Sequence, residues 1–332
     1  MDVMVLPERP FLGCRVVGDL TQLDADVVVL GIPHAVPYVV DEEEQRGLAT
    51  APAAVRNVSQ QFADDLTHHD FDLGHAFLRE GGPRLVDVGD VPCAFGAAAE
   101  NVRRADEGLA QIVRQGVMPL VIGGDDSIPP IIARALAGRG EFDIVTIDAH
   151  LDFRDEVDGE RFGRSSPARR MSELPQVTSV TQIGLRGIGS SRTPEFEDAR
   201  AAGHRLITAA EVHERGQRWL CDQLPSGGDV FVSIDCDGLD PSIAPGTGWP
   251  QPGGLTFRHV AAVIAELART SRIVGADVVE LLPSRDVNGL TALTAAHLLM
   301  LLADSRGKTA RTGRAGSGQG SRSPSRPARK SA

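Results

Sequence analysis

The sequence predicts an α/β chain, a three-layer α/β/α domain on a mostly parallel sheet. Three observations carry that prediction. Short β-branched apolar runs recur, stretches of helical periodicity separate them, and two runs end in alternating acidic residues, where parallel sheets gather ligands.

The strand-like runs are, in order, ADVVVLGIP (25–33), RLVDVGDV (84–91), VMPLVIGG (117–124), FDIVTID (142–148), VTSVTQIGL (177–185), DVFVSID (229–235) and RIVGADVVEL (272–281). Each is short and nearly continuous in its apolar character, as expected of a strand covered on both faces. NVRRADEGLAQIVRQG (101–116), TAAEVHERGQRWLCDQL (208–224) and LTFRHVAAVIAELART (255–270) place apolar residues at three- and four-residue steps, which lays helices on the sheet.

A chain of 332 residues with 42% hydrophobic content supports one large domain, expected over 1–304. The remainder, 305–332, is rich in Gly, Ser, Pro and Arg and has eight Lys/Arg with no acid, so it is expected to stay disordered. Without it the chain carries 26 basic against 45 acidic residues, which argues against a nucleic-acid function for the domain. No basic leader or long uncharged apolar run appears, so a soluble cytoplasmic protein without membrane contact is expected. Cys14, Cys93, Cys221 and Cys236 lack C-x-x-C spacing and indicate neither a zinc knuckle nor a disulfide framework.

In TIDAHLD, Asp148, His150 and Asp152 alternate just past an apolar run, and on an extended backbone they would converge on one point. Solvated loop residues with an aspartate as helix cap are the other reading of this motif. SIDCDGLDPS repeats the pattern with Asp235 and Asp237, and Cys236 between them should face the sheet packing. Four carboxylates and an imidazole at two strand ends call for cations, and paired divalent ions are the usual way to activate a water for hydrolysis.

GGDDS (123–127), DAHLD (148–152), SIDCDGLDPSIAPGTGWPQPGG (233–254) and GADVVELLP (275–283) resemble, in order and spacing, the signature segments of the ureohydrolase family of arginases, agmatinases and guanidino-acid hydrolases. The resemblance implies an arginase/deacetylase-like fold around about eight parallel strands. It also implies two divalent ions, Mn2+ or in some relatives Ni2+, a homo-oligomeric trimer or hexamer, and hydrolysis of a guanidinium carbon to urea plus an amine. Asp148, His150, Asp152, Asp235 and Asp237 match family metal ligands, and Glu280 matches the acid that holds the guanidinium. Asp152 would also relay a proton to the leaving amine.

Two positions depart from the pattern. Asp126 stands where most members have histidine, which keeps a ligand but makes the site more negative. Arg164 stands where many relatives place a proton-shuttling histidine, and an arginine cannot shuttle protons at neutral pH. His34, just past the first run, is a candidate replacement or else a loop histidine satisfied by backbone. Trp249 replaces a small residue, either bracing its loop from below or narrowing the substrate pocket beside Arg164. Asp125 is expected to accept hydrogen bonds rather than bind metal, Asp240 to start a turn or join the metal network, and His68 and His69 to lie on the surface. The substrate expected is agmatine-like, a guanidino acid, guanidine, or an N-alkyl guanidine or biguanide. The alternative is a weakly catalytic or non-catalytic subunit that forms a hetero-oligomer with an active paralogue.

Overall fold

The computed structural model describes residues 4–36 and 42–307. The basic stretch beyond Gly307 lies outside the described residues, while Ser305–Gly307 close the last helix through Gly307 N–H donating to the Asp304 carbonyl at 2.9 Å.

Among the described residues eleven strands form: β1 (Arg15–Val16), β2 (Val27–Ile32), β3 (His69–Asp70), β4 (His75–Ala76), β5 (Leu85–Asp90), β6 (Met118–Gly123), β7 (Phe142–Ile147), β8 (Val177–Leu185), β9 (Arg205–Thr208), β10 (Asp229–Asp235) and β11 (Arg272–Val279). The nine-stranded sheet runs β1-β5-β2-β6-β11-β10-β7-β8-β9, while β3 and β4 make a separate hairpin. Every pairing in the large sheet is parallel. Nine strands answer the expectation of about eight. All seven runs read from the sequence are strands, and the additions, β1 and β9, are edge strands of two and four residues, too short to show a pattern.

The helices are α1 (Glu42–Leu48), α2 (Ala51–Ser59), α3 (Ala98–Arg114), α4 (Pro129–Ala137), α5 (Pro167–Ser172), α6 (Thr193–Ala201), α7 (Ala209–Cys221), α8 (Phe257–Thr270) and α9 (Leu290–Asp304). The sheet divides the core in two. One face packs Val29, Leu120 and Val232 with the layer of α2, α7, α8 and α9, and the other packs Val28, Val121 and Phe231 with that of α3, α4 and α5. Alternate residues of a strand point to opposite faces, so neighbours such as Val28 and Val29 serve different cores. Among the described residues no helix is long and apolar enough to cross a membrane.

The chain order decides where the site lies. After β6 the chain skips two positions to build β7, β8 and β9, then returns to fill the gap with β10 and β11. The carboxyl ends of β6, β11, β10 and β7 therefore sit side by side at the crossover, where α/β sheets open a crevice.

Candidate metal centre

Those four ends deliver the candidate ligands and Glu280. Asp126 follows β6, Glu280 follows β11, Asp235 and Asp237 end and follow β10, and Asp148, His150 and Asp152 follow β7. Ligand atoms of Asp126, Asp148 and Asp235 lie within 4.8 Å of one another, as do those of Asp148, His150 and Asp237. Asp148 belongs to both trios, so the two groups that could each hold a cation share one carboxylate.

The convergence is not that of an extended strand. Backbone N–H of His150 donates to Asp148 Oδ1 at 2.6 Å, and N–H of Asp237 donates to Asp235 Oδ1 at 2.7 Å, so each motif folds into a tight turn around its first aspartate. At the second the chain continues as a 3-10 turn over Cys236–Gly238. Asp152 takes a left-handed conformation, with φ of 42°, and lies outside both trios, its Oδ1 accepting from Ser190 Oγ at 3.2 Å. Strict alternation fails because a carboxylate at a strand end or one residue past it finds the backbone N–H two residues on, and that bond bends the chain.

Asp126, Asp148, Asp152, Asp235, Asp237 and Glu280 are all buried. Burial first, then mutual repulsion, pushes Asp126, Asp148 and Asp235 well above the ordinary carboxylate range. Burial likewise raises Asp152 to about 7 and Glu280 to about 8. Burial would lower the His150 imidazole, but its hydrogen bond to Asp237, with Nδ1 3.0 Å from Oδ2, and the surrounding acids raise it. Without cations these groups hold protons that divalent ions would displace. A donor set of carboxylates with one imidazole suits manganese and nickel alike, so the residues fit a pair of such ions.

Above the trios lies a cavity of about 460 Å³ lined in part by Asp152, Arg154, Arg164, Ser190, Trp249 and Glu280. Glu280 also sits at positive φ, 58°, accepts from Asp126 N–H at 3.0 Å and donates its own N–H to the Gly124 carbonyl at 2.8 Å, which ties the ends of β6 and β11. Two non-glycine residues at positive φ in one site mark local strain held by surrounding structure. Trp249 is 58% exposed, on the rim and not beneath its loop. Arg164 Nη1 donates to Glu44 Oε1 at 2.9 Å, with its guanidinium 5.9 Å from the Trp249 ring centroid.

His34 is not brought to this cavity. Its ring is buried beside Asn101, with Nδ1 3.4 Å from Asn101 Nδ2, and it lines a neighbouring cavity of about 340 Å³. The strand carrying it, β2, is one position outside the four that build the centre. Asp125 accepts from Val36 N–H at 2.8 Å and Ser127 N–H at 3.1 Å. Asp240 ties its loop by accepting from Ser242, Gly253 and Gly254 N–H groups, the turn role. His68 and His69 are exposed, and Cys236 packs in the core.

A description of the arginase family matches residues 25–303. The chain belongs to the arginase family. Agmatinase of Bacillus subtilis (strain 168) is 32% identical over 282 residues, covering 83% of this chain and 90% of that protein. The mitochondrial agmatinase of Gallus gallus is 36% identical over 227 residues, which is 65% of this chain but 64% of the relative, so the chain spans just under two thirds of that protein. Among solved structures, proclavaminate amidino hydrolase from Streptomyces clavuligerus superposes with a TM-score of 0.75 at 29% identity, over 90% of this chain and 96% of that one. The family consists of hydrolases of amidine C–N bonds that depend on paired metal ions, and this chain has their fold.

Several residues that shape this arginase-family site left no mark in the motifs. Gly189 lies against His150, where an added Cβ would stand 2.8 Å from the ring Cδ2. Arg186 donates to the carbonyls of Asp237 at 2.7 Å, Leu239 at 3.1 Å and Gln251 at 2.7 Å, which fixes the loop after β10. Glu44 meets Arg164 across 120 residues of sequence. The sequence shows only a glycine and scattered charges at these positions, and nothing in their spacing says what they touch.

Proposed function

We propose that this protein is a binuclear-metal amidinohydrolase that adds water to the guanidinium carbon of a small guanidino compound and cleaves a C–N bond, releasing urea or a urea analogue and an amine. The observation that carries the reading is the pair of ligand trios sharing Asp148 beneath a cavity that Glu280 helps to line. Asp126, Asp148 and Asp235 would hold one ion and Asp148, His150 and Asp237 the other, with Asp152 beside both; Mn2+ and Ni2+ are the candidates. Such ions, when bound, supply the Lewis acidity that activates water at neutral pH. Glu280 pairs with the planar cation and orients its carbon toward the floor. Asp152, oriented by Ser190 Oγ, carries a proton from the attacking water to the leaving nitrogen. A soluble homo-oligomer accompanies the reading.

The test is urea release by the purified chain from agmatine, guanidino acids, guanidine and N-alkyl guanidines, with manganese and nickel supplied separately and metal content measured. Two ions per chain and urea from at least one compound are expected. A second reading draws on Arg164, whose cation stands in the cavity where a substrate cation must enter: a weakly catalytic subunit working with a paralogue. Urea formed only after a more complete homologue is added would favour it.

A further inference from the structure

The walls of the cavity differ in charge from its floor. Among the described residues lining it, the acids Asp152, Asp235, Asp237 and Glu280 are on the floor or beside it, whereas the walls carry Arg154 and Arg164 and no acid. Arg154 is already engaged, with Nη1 donating to the Ser190 carbonyl at 3.1 Å, Nη2 to the Glu156 carbonyl at 3.2 Å and Nε 3.0 Å from Glu195 Oε1. Arg164 donates only through Nη1, to Glu44, so among the described residues its Nε and Nη2 have no acceptor. Three quarters of this side chain is buried, 24% remaining exposed, which strengthens a charge-assisted bond made inside the cavity.

We infer that Arg164 anchors an anionic tail, and that the preferred substrate is a short guanidino acid, its guanidinium on Glu280 and its carboxylate on Arg164. The inference rests on the amidinohydrolase reading for the orientation of the guanidinium. An agmatine-like diamine would bring its terminal ammonium against a guanidinium whose neighbouring acid, Glu44, is already engaged by Nη1, a like-charge contact that disfavours binding. The carboxylate of a guanidino acid instead accepts from the two unused donors of a planar fork. The linker must be short, because Arg164 and Glu280 border one cavity of about 460 Å³. Trp249 closes the same wall, limiting room for a longer chain. Arg164 thus sets specificity without touching the reacting atoms.

The test uses the full chain loaded with manganese, titrated calorimetrically with guanidinopropionate, its uncharged amide and agmatine, with urea release measured for the same compounds. The acid should bind about tenfold or more tighter than either other ligand, the factor one charge-assisted hydrogen bond carries. Arg164→Gln should erase the preference chiefly through KM, and Arg164→Lys should retain part of it. Equal binding of acid and amide by the unaltered chain overturns the inference, even where Arg164→Gln fails to fold. So does a preference for agmatine, or an acid preference that survives Arg164→Gln in a folded variant. Carboxylate-dependent binding without urea from any compound would leave Arg164 as the anion anchor and remove the hydrolase reading.

Discussion

Two clusters of buried charge stand at neighbouring ends of the same sheet and are neutralised in opposite ways. Where β2 and β5 end, Arg56, 2% exposed, grips Asp87 with Nε at 2.8 Å and Nη2 at 3.0 Å and reaches Asp90 with Nη1 at 2.5 Å. Burial would lower the Arg56 pKa, but Asp87 and Asp90 more than offset it. Asp87 also accepts N–H groups from Phe11 and Gly89, so its lone pairs are filled from within the chain. At the ends of β6, β11, β10 and β7 the acids outnumber His150 severalfold, and Asp126, Asp148 and Asp235 raise one another's pKa values. A closed cluster braces the fold, whereas an open one requires ions from outside. The difference between structure and function here is whether the chain supplies its own counter-charge.

The largest effect should come from breaking the open cluster. Asp148→Ala removes the carboxylate shared by both trios and should abolish urea release and lower metal content, measured by elemental analysis, while melting of the metal-free protein stays the same or rises. Full metal occupancy with normal turnover would refute the assignment. Breaking the closed cluster should do the reverse. Arg56→Met strands the buried Asp87 and the partly buried Asp90, and denaturant unfolding should record a loss of about 3–5 kcal/mol with metal content per folded chain unchanged. A loss of metal in that variant at full stability would erase the distinction between the clusters.

Chelation sharpens the comparison through pH. In the metal-free fold Asp152 stands at about 7 and Glu280 at about 8, above the ordinary carboxylate value near 4. The folded state then holds more protons than the unfolded one, so its stability is greatest below that ordinary value and declines as pH rises toward about 8. The chelated protein should melt lower near pH 8 than near pH 6, and the metal-loaded protein should not follow. A chelated protein that gains stability over that window would contradict the charge argument.

The smallest effect is expected at the exposed rim. Trp249→Thr should shift stability within about 0.5 kcal/mol, as for surface positions, while weakening a compact cationic substrate by roughly 0.5–2 kcal/mol through the lost aromatic face. A large fall in melting temperature with unchanged substrate ranking would place Trp249 with the bracing residues instead.

Much of this architecture was legible because its signals are local. The runs ending in DAHLD and SIDCD announced strands and a buried charge problem by residue type alone, since few acids follow apolar strands without a partner. α9 gave no helical periodicity because eleven of its fifteen residues are buried, which leaves no polar face to write a period. β1 and β9 were silent for want of length.

The sequence by itself determined which side chains could bind cations and that they end buried strands. Only the tertiary structure decided which share a centre. The return of β10 and β11 into the gap between β6 and β7 makes Asp148 common to two trios, the Asx turns hold Asp152 outside both, and the position of β2 keeps His34 away. The pairing of Arg56 with Asp87 and the single bond of Arg164 to Glu44 belong to the same class, because which acid an arginine finds depends on strand order and not on the spacing of letters.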